Sequence, residues 1–73
     1  MDAVTSTTRL TEREAQVLRC LAGGRSVATI AAASYVAEAT VRTHVRGVLT
    51  KLGVGSQLAA VALAHHSGWL ENS

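Results

Sequence analysis

The chain has 73 residues, 48% of them hydrophobic, and seven Lys or Arg against five Asp or Glu give a formal charge of +2. This hydrophobic share excludes intrinsic disorder as the default, and the length allows one small domain with an economical core. Tyr35 and Trp69 are the only aromatic side chains and proline is absent, so the core must come from Leu, Val, Ile and Ala. The β-branched residues are scattered among alanines, which favours packed helices over a sheet. A lone Cys20 has no partner for a disulfide or a zinc site, which fits a reducing cytoplasm. No apolar run reaches the ~18–20 residues of a membrane span, and the amino terminus lacks the basic-then-apolar order of a signal peptide. The expectation is a cytoplasmic protein without a membrane partner.

Residues 1–9 (Met-Asp-Ala-Val-Thr-Ser-Thr-Thr-Arg) show no periodicity and read as a flexible lead-in or linker remnant. Thr11-Glu12-Arg13-Glu14 has the form of a capping box, with Leu10 in the staple position before it. The helix it opens turns Val17, Leu18 and Leu21 inward and stops at Gly23-Gly24. Ser26 caps a second, short helix through Ser34, anchored by Ile30, whose Ala28, Ala31, Ala32 and Ala33 allow close backbone approach. Tyr35-Val36-Ala37 is a tight connection into a third helix from Glu38 to Leu52, and such a bent pair is a helix-turn-helix arrangement.

The third helix has two faces. Val41, Val45, Val48, Leu49 and Leu52 recur at helical period and form a core stripe. Arg42, Thr43 and Arg46 cluster on a separate strip about 100° wide, and no acid follows Glu38. A helix fits the major groove of B-DNA, and Arg is well matched to guanine edges and phosphates. For this helix taken alone, a solvated basic face on an amphipathic helix accounts for the same pattern. Lys51 stands about 140° from Arg46, which argues against base contact.

Gly53-Val54-Gly55 breaks the chain again, and Ser56 caps a fourth helix that Gly68 closes. Its run Leu58-Ala59-Ala60-Val61-Ala62-Leu63-Ala64 is apolar on every side, more than one small core can cover, which suggests a partner. Leu58 and Val61 share a side, and Ala62 is a candidate to face that partner. Trp69-Leu70 are expected to fold back onto the core, and residues 71–73 form a polar tail after a domain spanning 10–70.

In this layout the chain resembles the helix-turn-helix DNA-binding domains of the LuxR family, of NarL/FixJ and GerE-like type. The likeness is carried by Leu10-Thr11-Glu12-Arg13-Glu14, Val17-Leu18, Ala22-Gly23-Gly24 and Ile30-Ala31, then by Glu38-Ala39-Thr40-Val41-Arg42-Thr43-His44-Val45. It continues through Leu49, Lys51-Leu52-Gly53-Val54, Ala60-Val61-Ala62-Leu63-Ala64 and Gly68, and so covers about residues 9 to 70. The resemblance implies an all-α, four-helix domain of a bacterial transcriptional regulator, binding double-stranded DNA with its third helix in the major groove. It implies Arg42, Thr43 and Arg46 facing the groove, Thr40 and Lys51 approaching the phosphate backbone, and His44 in a packing role. It further implies dimerisation on DNA through the fourth helix; the surplus apolar side of that helix puts Leu58, Val61 and Ala62 at the interface, and the small area of one short helix predicts a weak dimer or a monomer when free. An upstream receiver or ligand-binding domain is compatible with it.

The chain departs from the family pattern at three places. Ala37 stands where a capping Ser is usual, which costs roughly 0.5–2 kcal/mol. Val27-Ala28-Thr29 replace a polar stretch, removing a lysine-type phosphate contact and offering an apolar surface. Gly47 inside the third helix costs about 1 kcal/mol relative to Ala.

No Ser/His/Asp or Cys/His arrangement and no glycine-rich phosphate loop supports catalysis, so no enzyme and no cofactor is expected. His65-His66 diverge by about 100° on a helix and cannot chelate one metal. Cys20 reads as a small core residue. Arg13, Arg19 and Arg25 read as a solvated helix face that could add to phosphate binding. The rival reading is a helical protein-interaction module docking a partner through its apolar second and fourth helices.

Overall fold

The computed structural model describes residues 10–72, and the expectation of a lead-in over residues 1–9 lies outside them. Among the described residues there are four α-helices and no strand: α1 Glu12–Ala22, α2 Val27–Ser34, α3 Glu38–Leu52 and α4 Gln57–His66. A single 3-10 turn, Trp69–Asn72, follows α4 and occupies the start of the expected polar tail.

Local chemistry sets the helix starts. The Thr11 hydroxyl accepts from the Glu14 N–H at 3.1 Å, and the Thr11 N–H donates to Glu14 Oε1 at 2.9 Å, completing the capping box of α1. Ser26 and Ser56 accept from the N–H groups of Thr29 and Ala59, each at 3.1 Å. Ala37 has the same extended backbone (φ −71°, ψ 151°) but no side-chain acceptor, so α3 begins uncapped. Gly53 ends α3 in the left-handed region at φ 71°.

The α2–α3 turn holds a feature that the residue types did not announce: Tyr35 adopts φ 58°, the left-handed conformation that costs a side-chain-bearing residue roughly 1–2 kcal/mol. Its N–H and that of Val36 meet the carbonyls at the end of α2, Ala32 and Ala31, which holds the reversal in place.

The hydrophobic residues divide into two adjoining clusters. Val17, Leu21, Ile30, Ala31, Val41 and Val45 bring α1, α2 and α3 together. Leu18, Val48, Ala60 and Ala64 bring α4 onto α1 and α3, covered by Leu10, Leu52, Val54, Trp69 and Leu70. Leu49 touches both. Trp69 and Leu70 thus fold back as expected, and the Arg19 guanidinium lies 5.8 Å from the centre of the Trp69 ring.

The alanines work differently from the expectation. On α2 only Ala31 is buried, while Ala28, Ala32 and Ala33 are exposed. Close backbone approach occurs at α4 instead, where Ala60 and Ala64 sit fully inside against Leu18 and Val48. Small side chains on the inner face of α4 leave its larger Leu58 outside. The axes of α3 and α4 bend by 57°, and no single helix among the described residues is long and apolar enough to cross a membrane.

Candidate nucleic-acid interface

The core stripe of α3 fixes which of its residues reach solvent. With Val41, Val45 and Val48 buried, Arg42, Thr43 and Arg46 emerge together on the exposed side. Thr50, four residues beyond Arg46, falls on the same strip and is also exposed, a member that the helical spacing contained and the sequence reading passed over. Arg42 and Arg46 line a shallow cleft with Val45 and Leu49 of α3, Val27 at the start of α2 and Gln57 at the start of α4.

The three strip residues expected from the sequence differ in readiness. The Arg42 guanidinium donates to Glu38 Oε1 at 2.9 Å across one helical turn, with both side chains about half exposed. A surface pair of this kind contributes only about 0.3–0.5 kcal/mol, so a phosphate or guanine edge can take the guanidinium over. Thr43 Oγ1 donates to the Ala39 carbonyl at 3.0 Å and keeps its lone pairs outward. Arg46 has no hydrogen-bond or ion-pair partner among the described residues and is the free cation of the cleft.

Thr40 and Lys51 are placed elsewhere. With His44 and Gly47 they form a line about 140–200° around α3 from Arg42, the side turned toward α1. Thr40 is exposed in the first turn of α3. Lys51 Nζ donates to Glu14 Oε1 at 2.7 Å, so a backbone contact by this ammonium requires exchange of an existing bond.

Glu14 is the residue whose reach the sequence understated. It caps α1, as expected, but its buried carboxylate also crosses to α3 and bonds Lys51, 37 positions away. Burial raises the Glu14 pKa. The hydrogen bond from Lys51, the Thr11 N–H, the Lys51 charge and the Thr11 hydroxyl together outweigh it and hold the carboxyl below its ordinary 4.5.

Gly47 explains how the carboxylate gets there. A Cβ at Gly47 would collide with Glu14 Oε2 and lie 3.3 Å from the carboxyl carbon. The glycine read from sequence as a cost to α3 thus leaves room for the carboxylate in the place where it pairs with Lys51.

One other sequence reading needs correction. The Val27-Ala28-Thr29 stretch is not a continuous apolar surface: Val27 packs against the first cluster and Thr29 closes the Ser26 cap, its hydroxyl accepting from Ser26 Oγ at 3.0 Å. Of the α4 residues expected at a dimer interface, Leu58 (79% exposed) and Ala62 face outward, whereas Val61 is half-buried against the first cluster. His65 shares the outward side and its Nε2 lies 3.3 Å from the Ala22 carbonyl.

A short α2 joined by a left-handed residue to a longer α3 that exposes a basic strip, braced by α1 and α4, defines a helix-turn-helix domain. The model for bacterial regulatory proteins of the luxR family matches residues 8–64, and the chain belongs to that family. Over 55 residues, 75% of this chain, it is 51% identical to the probable transcriptional regulatory protein NarL of Mycobacterium tuberculosis. It is 48% identical over 54 residues to the nitrate/nitrite response regulator protein NarP of Escherichia coli, and 46% identical over 55 residues to the response regulator protein VraR of Staphylococcus aureus. The aligned part is 26%, 25% and 26% of these relatives respectively, so the chain spans about a quarter of their length. No solved structure matches the chain significantly. The chain is accordingly a DNA-binding domain of the transcription-regulator type, and the family is one of regulators rather than enzymes.

Proposed function

We propose that α3 enters the major groove of double-stranded DNA and that Arg46, Arg42 and Thr43 read or clasp it there. The observation that carries this reading is the exposure of all three on one strip, with the unpaired Arg46 at its centre. The cleft they line opens at the amino ends of α2 and α4, where unsatisfied N–H groups favour phosphate oxygens on either side of a groove-bound helix. In this reading Thr40 contacts phosphate at the amino end of α3. Lys51 does so only by releasing Glu14, and its main part is to fix α3 on α1.

The domain works as a symmetric dimer on DNA in this proposal, through the outward side of α4 with Leu58 and Ala62 at the centre and Val61 at the margin. One short helix buries less than the ~1,200 Å² of stable complexes. Two copies therefore associate weakly when free and firmly on a duplex with half-sites about one turn apart. A receiver or ligand-binding domain, in the same polypeptide or another, supplies the regulation for which the matched response regulators are named.

The test is a titration of Arg46→Ala and Arg42→Ala against a selected duplex and a random one. Each substitution is expected to cost about 1–3 kcal/mol, with relaxed preference at one base pair where the contact is to a base. Equal loss on both duplexes assigns that arginine to phosphate. No loss on either duplex for both variants refutes the placement of α3.

A further inference from the structure

A second concave surface lies on the other side of α3, outside the DNA-facing strip. Arg13, Gln16, Val17 and Cys20 form one wall on α1, Val41 and His44 the opposite wall on α3, and Ile30, Ser34 and Val36 close the end, with Arg19 at the margin. The groove measures about 610 Å³. Its floor carries apolar surface from Cys20 and Val36, both half-buried, over the buried Val17, Ile30 and Val41. Its rim is cationic: Arg13 and Arg19 line it, the Arg19 guanidinium leaning toward Trp69, and Arg25 stands beside it with Nη1 3.9 Å from Sγ of the lining Cys20. No Asp or Glu is among its lining residues.

Beside it stands Tyr35, between the lining residues Ser34 and Val36, held at φ 58° and 95% exposed. An aromatic side chain presented almost entirely to solvent from a strained turn suits contact with another molecule better than it suits the fold.

We propose that this groove is a docking site for an acidic segment of a partner protein that inserts one or two apolar side chains between α1 and α3. The apolar floor selects such a partner over a nucleic acid backbone, which offers no apolar group to fill it. The cationic rim without acids selects a segment rich in Asp or Glu. His44 stands about 200° around α3 from Arg42, so the groove opens on a different side of α3 from the strip that carries Arg42, Thr43 and Arg46.

The experiment follows backbone amides of the ¹⁵N-labelled chain by NMR while adding a 16-residue amphipathic peptide, Glu on one face and Leu on the other. Two control peptides carry Lys for Glu, or Ser for Leu, and a 16-base-pair duplex is titrated separately. The expected result is saturable shifts at Gln16, Cys20, Ser34, Tyr35 and His44 with the Glu/Leu peptide, weakened at least tenfold by either control. Ser34→Leu, a charge-neutral change at an exposed lining position that fills the groove, should weaken the peptide at least tenfold and leave duplex affinity within twofold. Peptide shifts centred on Arg42, Thr43 and Arg46, equal binding of the Lys peptide, or the absence of saturable shifts would overturn the proposal. So would a duplex that moves the groove amides as strongly as those of the strip, which would make the groove a nucleic-acid surface.

Discussion

Replacing Gly47 by alanine in the middle of α3 is expected to destabilise the domain, although alanine is the better helix former by about 1 kcal/mol. The added Cβ would strike Glu14 Oε2 and crowd the carboxyl carbon at 3.3 Å. Turning that carboxylate away displaces Oε1, which accepts from the Thr11 N–H at 2.9 Å and from Lys51 Nζ at 2.7 Å. The Thr11 bond to the charged carboxylate contributes about 1.5–2 kcal/mol, at the low end for such bonds, and the Lys51 bond, made by a partly exposed ammonium, about 0.5–1 kcal/mol. A combined loss of about 2–3 kcal/mol against a gain of about 1 leaves a net cost of about 1–2 kcal/mol, a fall in Tm of roughly 5–10 °C for a domain this small. The assay is urea and thermal unfolding followed by circular dichroism, run as a double-mutant cycle with Glu14→Ala. In the Glu14→Ala background the obstacle is gone, and Gly47→Ala should stabilise by about 1 kcal/mol. A coupling of about 2–3 kcal/mol between the two sites is thus expected. Stabilisation by about 1 kcal/mol in the unaltered chain would refute the reasoning, because it would show that Glu14 yields at no cost.

Ala37→Ser should stabilise by about 0.5–2 kcal/mol in the same unfolding assay, since the backbone already has the extended geometry of a cap and lacks only the acceptor; an unchanged midpoint would mean that α3 does not begin at Glu38. The lowered pKa of Glu14 gives a pH dependence of fixed sign: the unfolded state binds the proton more readily, so this stabilisation is present above pH 4.5 and lost as the pH falls through the lower folded-state value. Glu14→Gln should flatten that part of the stability profile between pH 6 and 2, and an undiminished slope would assign it to other carboxylates. Ala62→Glu, at an exposed position on α4, should abolish cooperative binding to a duplex with two half-sites while leaving the helical circular dichroism signal intact; sedimentation showing one unmutated chain per duplex would end the dimer proposal.

Much of this molecule was determined by its sequence alone, for reasons that are local. Thr11, Ser26 and Ser56 can satisfy free N–H groups from their own side chains, and Gly53 tolerates a positive φ, so these helix ends are written in single residues. The stripe Val41, Val45, Val48 sets the buried face of α3, which by elimination puts Arg42, Thr43 and Arg46 outside. Those relations depend on spacing along one helix, and spacing is visible in a string of letters.

What only the tertiary structure decided are relations between helices. That Glu14 meets Lys51, and that Gly47 is missing a side chain to let it, depends on the packing of α1 against α3 across 37 positions. The inward turn of Ala60 and Ala64 rather than Leu58 likewise follows from how closely Leu18 and Val48 admit α4. An alanine-rich helix with apolar residues all round carries no periodic signal for its inner face, so its orientation is chosen by the surface it lands on.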